Sequence, residues 1–328
     1  MHSCSRFLVV LVGSFLFAAM ACAQIPQRST TVPMRILLPV VSGGTTDLIA
    51  RFMQPALAAA LGIPVIIETR PGAGGKIALD IAAQATPNGN TLFFGPVGAI
   101  AINPALFRKF EVDPVRDLTC LSIVADGTAA LVSSASIPAK TVKEFIDYAK
   151  ARPGKLNYGA ANPSSPARFG MEIFARRSGI DLVGVMYKGS GEVSIAVLTG
   201  DIAISMVALT PTLPHIRSGQ LNALAMRSPE RFDQLPNVPT LRELGYPELT
   251  HSTWQGMYVP ARVPAPVVKK LHEVIVRIVE EPWLAEKLKP TGVLVLKQGS
   301  LADCAAFTKA QVEFWAKIVK ETGLAGSM

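Results

Sequence analysis

The stretch Met34-Arg-Ile-Leu-Leu-Pro-Val-Val-Ser-Gly-Gly-Thr-Thr-Asp47 decides the fold of this chain. It starts as an apolar, strand-like segment, passes through a glycine-rich turn and runs into the helix-like Leu48-Ile-Ala-Arg51. The same order returns when Val65–Thr69 leads into the turn Arg70-Pro-Gly-Ala-Gly-Gly-Lys76 and a second helix-like run. Strands and helices that alternate in this way predict an α/β fold.

Both glycine-rich turns suit an anion, because the start of a helix presents free backbone amides at the positive end of its dipole. In the first turn, Gly43 and Gly44 let the backbone approach a carboxylate closely, and the threonines that follow offer hydroxyl donors. Asp47 is a poor direct partner for an acid, so it is expected to cap the helix or to bond the amides of the turn. An ordinary structural turn remains the alternative at this position.

The second turn has the wrong pattern for a nucleotide loop. Ile77 stands where a GxGxxG motif needs glycine, and no Gly-Lys-Ser/Thr follows. A structural turn and a ligand contact stay equally open for Arg70–Gly75.

The first residues are typical of an export signal. Arg6 precedes an apolar run from Phe7 to Met20, and Ala21-Cys-Ala23 supplies small residues for cleavage. The apolar run is shorter than the ~20 residues that a spanning helix needs. We therefore expect a signal peptide over 1–23, cleavage after about Ala23 and a periplasmic protein, with lipidation at Cys22 as the alternative.

Composition limits the function classes. A chain of 328 residues is long enough for about two domains of ~150 residues. With 49% hydrophobic and 17% charged residues it is globular. The net charge of +8 is dispersed, with no basic helix interleaved with aromatic residues, which argues against nucleic acid as a partner. The charge instead favours a mild attraction for anionic ligands.

Metal, cofactor and catalytic motifs are missing from the sequence. The mature chain keeps Cys120 and Cys304, which we expect to be two buried thiols, with a disulfide as the alternative in an oxidising compartment. No CxxC or histidine cluster suggests a metal site. No G-x-S-x-G motif occurs, and no histidine follows the order of a catalytic triad. We therefore predict no enzyme activity, no metal and no cofactor.

Hydrophobic patterning predicts eleven strands and eight helices. The strands are expected at 34–39, 65–69, 91–95, 119–125, 129–134, 155–158, 182–187, 201–206, 221–226, 254–259 and 292–296. The helices are expected at 46–61, 75–85, 141–151, 166–178, 190–199, 210–217, 264–280 and 300–322.

Two stretches, Ala125–Thr128 and Glu248–Thr253, are predicted to cross between lobes. They would make one lobe continuous, over 127–250, and the other discontinuous, over 24–126 plus 251–328. A hinge of two crossing segments is typical of a binding protein that closes over its ligand.

A series of short motifs follows the same order as in a known family. They include Pro39-x-x-x-Gly-Gly-x-x-Asp47, Arg70-Pro-Gly-Ala-Gly-Gly75, Ile102-Asn-Pro-Ala-Leu106, Tyr187-Lys-Gly189, Leu235-Pro-Asn-Val-Pro-Thr240 and Trp254-x-Gly256. Each motif is weak alone, but the ordered set covers essentially the whole mature chain. It resembles the tripartite tricarboxylate transporter substrate-binding family, the Bug-type periplasmic receptors.

The resemblance implies a two-lobed α/β binding protein of the type II-like, Venus-flytrap kind, without catalysis. Such a receptor captures a small carboxylate (a dicarboxylate, an amino acid or an aromatic acid) and delivers it to a two-subunit membrane permease. It implies that backbone amides, hydroxyls and ordered waters hold the ligand rather than a salt bridge. We expect a monomer. A sensor component that presents its ligand to a signalling protein is the alternative.

The site residues implied by the resemblance lie on both lobes. They are Val41, Ser42, Gly43, Gly44, Thr45, Thr46, Asp47, Ala160, Asn162, Ser164, Ser165, Arg168, Lys188, Gly189 and Val207. Val41, Ser42 and several residues between 160 and 168 depart from the family pattern, which suggests a shifted specificity. Arg168 either pairs with a second carboxylate or faces solvent. Met206 and Val207 favour a ligand with an apolar portion over citrate.

Overall fold

A computed structural model describes residues 32–297 and 299–328, so the predicted signal peptide and its cleavage position lie outside the described residues. Six strands form the first sheet: β1 (Met34–Leu38), β2 (Val65–Thr69), β3 (Thr91–Pro96), β4 (Leu118–Gly127), β10 (Trp254–Pro260) and β11 (Val293–Val295). Five strands form the second: β5 (Ala129–Ser134), β6 (Leu156–Ala160), β7 (Leu182–Met186), β8 (Ile204–Ala208) and β9 (Leu221–Met226).

All eleven predicted strands are confirmed, with the largest displacement at β8. The prediction started this strand at position 201, whereas it begins at Ile204. The residue before it, Ala203, donates its amide to the backbone and side-chain oxygens of Asn157, at 3.1 and 3.0 Å. Ala203 is thus already hydrogen-bonded to β6 one residue before β8 begins.

Ten α-helices occur in the described residues. They are α1 (Thr45–Leu61), α2 (Lys76–Gln84), α3 (Asn103–Leu106), α4 (Val142–Lys150), α5 (Pro166–Ser178), α6 (Ser190–Thr199), α7 (Leu209–Arg217), α8 (Ala265–Glu280), α9 (Pro282–Leu288) and α10 (Leu301–Glu321). The eight predicted helices are confirmed to within one residue at each end. The sequence prediction missed α3 and α9, which are short and carry a proline in the first turn.

Local capping explains where two of the helices begin. Thr141 and Glu144 form a complete capping box before α4, and Ser300 and Asp303 form another before α10. In each box the hydroxyl accepts the amide of the third helical residue while the acid accepts the amide of the cap.

The order of the strands shows that the chain passes twice between the sheets. The first sheet has the order β11-β4-β10-β3-β1-β2 and the second β7-β6-β8-β5-β9. Only Thr128 separates β4 from β5, where the chain leaves the first sheet, and it returns between β9 and β10. We call each sheet with its covering helices a lobe. The lobe limits at 126/127 and 250/251 stay a prediction.

Apolar residues cover both faces of each sheet. On the first sheet, neighbouring residues of β3 alternate, so that Phe94 packs with α1 and α8 while Phe93 packs with α2 and α10. On the second sheet, Leu131 of β5 faces α4 and α5, whereas Val132 faces α6 and α7. A sheet with two covered faces leaves its strand ends as the open places for a ligand.

The expectation of two free thiols is wrong. Cys120 of β4 and Cys304 of α10 form a disulfide with their Cα atoms 5.7 Å apart. Because the helix packs on the face of the strand that carries Cys120, the fold joins residues separated by 184 positions. No helix of the described residues combines the length and the apolar character needed to cross a membrane.

The two lobes also touch through aromatic side chains. Phe169 of α5 packs edge-on against Trp315 of α10, with ring centroids 6.0 Å apart. His251, in the returning segment, packs against Phe314 and the same tryptophan. We call these four residues the aromatic cluster. Arg176 of α5 adds a 3.0 Å bond to the carbonyl of Glu321.

Candidate ligand-binding site

A cavity of about 810 Å³ lies at strand ends of both sheets. Its walls come from the turns after β1, β2 and β3 in the first lobe and, in the second, from the turns after β6 and β7, from β8 itself and from the residue after β9. Eleven of the predicted site residues line it: Val41, Ser42, Gly44, Thr45, Thr46, Asn162, Ser164, Ser165, Lys188, Gly189 and Val207.

Four predicted residues do not line the cavity. Ala160 is buried within β6, and Gly43 forms the back of the first turn with a φ of +90°. Asp47 holds that turn from behind, because its Oδ2 accepts the Gly43 amide at 3.0 Å and Arg51 Nε at 2.9 Å. Arg168 donates to the carbonyl of Pro163 at 3.2 Å. The structure thus does not bring Arg168 to the site.

The first glycine-rich turn points the start of α1 at the cavity. Gly44 caps this helix in an extended conformation and provides no side-chain bond to the helix amides. The first backbone bond of the helix is made by Leu48, so the preceding amides have no intrahelical partner. A helix of 17 residues therefore presents its positive end to the cavity.

The second lobe repeats this arrangement at α6. Gly189 caps α6 and, like Gly44, provides no side-chain bond. The two helix starts lie close together, since a Cβ added at Gly44 would lie 3.3 Å from Ser190 Oγ, and one at Gly189 would lie 2.6 Å from Val41 Cγ2. Two helix amino ends thus face the same cavity from opposite lobes, which favours an anion between them.

The second glycine-rich turn also lines the cavity, but it contacts the opposite lobe. Gly74 has a φ of +62°, and its carbonyl accepts Ser164 Oγ at 3.2 Å. A Cβ at Gly98, in the turn after β3, would lie only 2.4 Å from the backbone oxygen of Ser164. Ser165 instead caps α5 by accepting the Ala167 amide at 3.2 Å. The two serines therefore have different partners, one across the cavity and one in its own helix.

Hydroxyl groups near the first turn are mostly engaged within the protein. Thr46 Oγ1 donates to Gln255 Oε1 at 2.8 Å, and Thr45 Oγ1 donates to Thr210 Oγ1 at 3.2 Å, across to α7. Gln255 lines the cavity from β10 and was missed in the sequence prediction. Its position as the variable residue of the Trp254-x-Gly256 motif was the available signal.

Arg227 is the most unusual cavity residue that the sequence prediction missed. It directly follows β9, lines the cavity and is only 4% exposed. Burial lowers the pKa of Arg227 to about 10, with Asp126 acting against this shift, so the side chain stays charged at neutral pH. A cation placed directly after a largely apolar strand was the sequence signal for it, because ligands of α/β proteins bind at strand ends.

Two titratable groups lie on the segments that connect the lobes. Burial raises the pKa of Asp126, although bonds from Ser252 and Thr253 act in the opposite direction. Burial also lowers the pKa of His251 to about 4, helped by the charge of Arg227. His251 is therefore neutral in the folded protein near pH 7.

The geometry defines the class of protein. Two α/β lobes, joined by two crossing segments and enclosing a cavity lined by helix amino ends, have the architecture of a periplasmic solute-binding protein. This chain belongs to the tripartite tricarboxylate transporter receptor family, whose model matches residues 49–324. The predicted two-lobed fold and the predicted family are confirmed.

Three relatives illustrate the similarity. Protein BugT of Bordetella pertussis is 30% identical over 96% of this chain and 97% of its own length. The structure of Rpa4515 of R. palustris with adipate has a TM-score of 0.85 and 28% identity, covering 90% of this chain and 99% of that one. MatC of Rhodopseudomonas palustris with bound malate has a TM-score of 0.81 and 28% identity, covering 88% and 98%.

Proposed function

We propose that this protein is an extracytoplasmic receptor that captures a small organic carboxylate between its lobes and delivers it to a tripartite tricarboxylate-type permease. The observation that carries the proposal is the pair of glycine-capped helix starts, Gly44 and Gly189, that face one cavity from opposite lobes. Amide groups of this kind favour a carboxylate without needing a charged side chain. Two related structures that hold adipate and malate support the same ligand class.

Location and domain limits belong to the same proposal. The export pattern over 1–23 and the binding-protein fold support a periplasmic location with cleavage after about Ala23. We assign 24–126 plus 251–328 to the first lobe and 127–250 to the second, because the chain crosses between the sheets at Thr128 and again after β9. The protein binds its ligand without turnover, acts as a monomer and docks the permease when loaded.

Calorimetry on the mature protein tests ligand binding. We would titrate straight-chain carboxylates, amino acids and aromatic acids, and pair each acid that binds with its neutral amide. The acid is expected to bind and its amide to bind at least tenfold more weakly, because the amide cannot exploit the positive helix ends. If every acid failed to bind while another ligand class bound well, the proposal would be wrong.

Cellular uptake tests delivery. Deleting the gene should abolish uptake of the radiolabelled acid found by calorimetry, and restoring it from a plasmid should recover uptake. Unchanged uptake in the deletion strain would argue against a transport role even if the acid binds.

A further inference from the structure

Arg227 is the only lysine or arginine among the described residues that is buried. Its Nε donates to the carbonyl of Leu249 at 3.1 Å, while its Nη2 is buried with no hydrogen-bond partner in the described part of the chain. It forms no ion pair within residues 32–297 and 299–328. A buried charge of this kind costs free energy unless an opposite charge pairs with it.

Asp126 does not supply the missing partner. One of its carboxylate oxygens accepts Ser252 Oγ at 2.7 Å and the other accepts the Thr253 amide at 2.8 Å. The carboxylate is thus held by the returning segment, and no bond joins it to the guanidinium. Burial raises the pKa of Asp126 while the charge of Arg227 lowers it, so the two groups interact through space without forming an ion pair.

The position of Arg227 after β9 places its buried side chain beside the cavity. Arg227 continues from β9 and donates its backbone amide to Ala129 at 2.8 Å, at the end of the second sheet. A Cβ added at Gly170 would lie 2.5 Å from Met206 Sδ and 3.9 Å from Arg227 Nε. The missing side chain at Gly170 thus leaves room for Met206, while Arg227 lies at an ordinary contact distance, and both residues line the cavity.

We propose that Arg227 pairs directly with an anionic group of the bound solute and selects solutes that carry two anionic groups. One group would lie at the helix starts capped by Gly44 and Gly189 and the other at Arg227, with an apolar spacer against Met206 and Val207. This inference rests on the proposed function. It differs from the binding mode that the family resemblance implies, in which amides, hydroxyls and waters replace a salt bridge.

Matched pairs of acids test the role of Arg227. The probes are straight-chain dicarboxylates of four to eight carbons, each paired with the monocarboxylate of the same length and titrated by calorimetry into the mature protein. The best dicarboxylate should bind wild type at least about thirtyfold more tightly than its monocarboxylate. In Arg227→Gln this ratio should fall to about threefold or less, and Arg227→Lys should recover part of it.

Two further measurements separate ligand pairing from a structural role. Because Arg227→Gln removes an unpaired buried charge, the ligand-free variant should melt no lower than wild type. Gly170→Ala keeps Arg227 but forces Met206 to move, because the new Cβ would lie 2.5 Å from Met206 Sδ and at an ordinary contact distance of 3.9 Å from Arg227 Nε. It should therefore weaken both members of each pair and leave their ratio close to that of wild type. If Arg227→Gln failed to fold, the ratios measured in wild type and Arg227→Lys would decide.

The outcomes distinguish this inference from the proposed function. Equal affinity of wild type for both members of each pair, or the same ratio in wild type and Arg227→Gln, overturns the role of Arg227 while acid binding supports the receptor. Failure of wild type to bind any acid overturns the proposed function, and the inference with it.

Discussion

The two glycine-rich turns of the first lobe look alike in sequence and differ in what they contact. The turn before α1 directs uncapped helix amides into the cavity and is held from behind by Asp47. The turn before α2 reaches the other lobe, where Gly74 accepts the hydroxyl of Ser164. Both turns line the cavity and contact the opposite lobe, but only the first presents the uncapped start of a long helix there, whereas the second contributes a carbonyl to a hydrogen bond between the lobes. Two glycine-rich turns that are similar in sequence and lie at neighbouring strand ends can therefore make different contacts.

The strongest test of the contact between the lobes is a methyl group at Gly98, which faces Ser164 as Gly74 does. In Gly98→Ala the new Cβ would lie 2.4 Å from the Ser164 backbone oxygen, so the lobes could not approach as closely. We expect the affinity for the acid to fall at least about 100-fold, roughly 3 kcal/mol. Calorimetry measures the affinity, and small-angle X-ray scattering measures whether ligand still compacts the protein.

Gly191→Ala is the matched control for this test. Gly191 also lines the cavity, but an added Cβ meets nothing within 4 Å. Its affinity should stay close to that of wild type. An affinity of Gly98→Ala within threefold of wild type would show that closure does not need this contact.

His251 makes the stability of the protein depend on pH, so the variants have to be compared at a pH at which this histidine does not destabilise the fold. Its pKa is about 4 in the folded protein and about 6.5 when unfolded, so the unfolded chain takes up the proton first as the pH falls. Stability should therefore decrease between pH 6.5 and 4, by up to about 3 kcal/mol, and this histidine should add no further loss below pH 4.

Urea unfolding of wild type and His251→Gln at several pH values checks this expectation. The raised pKa of Asp126 acts in the opposite direction, since the folded state takes up that proton first, but it is common to both proteins. The difference between them isolates His251. A pH-independent difference would contradict the assignment.

Removing Asp47 tests the support of the first turn. Asp47→Ala loses the bonds from the Gly43 amide and from Arg51, which should cost about 1 to 2 kcal/mol of stability and about tenfold in affinity. Arg51→Gln is the control, because this exposed ion pair contributes little. Thermal unfolding and calorimetry measure both effects, and equal losses in the two variants would refute a role for the amide bond.

Ser164 and Ser165 give the smallest and most selective test. Ser164→Ala removes the hydrogen bond to Gly74 across the cavity and should weaken ligand binding about two- to fivefold, with little change in stability. Ser165→Ala removes the cap of α5 and should lower stability by about 1 kcal/mol with little change in affinity. If both variants lost affinity alike, the two hydroxyls would not have separate roles.

Local signals predicted most of the fold, because strand patterning and helix caps act over a few residues. The capping box at Thr141 and strand β3 were predicted correctly for this reason. The short helices α3 and α9 depend on packing and were missed. The disulfide was only the alternative to two thiols in the sequence prediction, since no local pattern joins Cys120 to a helix residue 184 positions away.

The candidate site was predictable only where its chemistry is local. The glycine and hydroxyl residues at the start of a helix predicted the turn from Ser42 to Thr46. Arg227 lines the cavity because the fold brings the end of β9 to the same place as the strand ends of the other lobe. Arg168 was the arginine that the sequence prediction selected as a candidate. Its side chain donates to the carbonyl of Pro163 and does not line the cavity.

The aromatic cluster provides the molecule with an intrinsic optical probe. Trp315 belongs to α10 of the first lobe, and its ring contacts Phe169 of the second lobe and His251 of the connecting segment. Its indole nitrogen is buried without a hydrogen-bond partner among the described residues, so its emission should be blue-shifted and sensitive to any water that enters. A stopped-flow fluorometer could therefore follow a change in the contact between the lobes in real time on unlabelled protein, with Trp315→Phe as the reference that gives the emission of Trp254 and Trp283 alone.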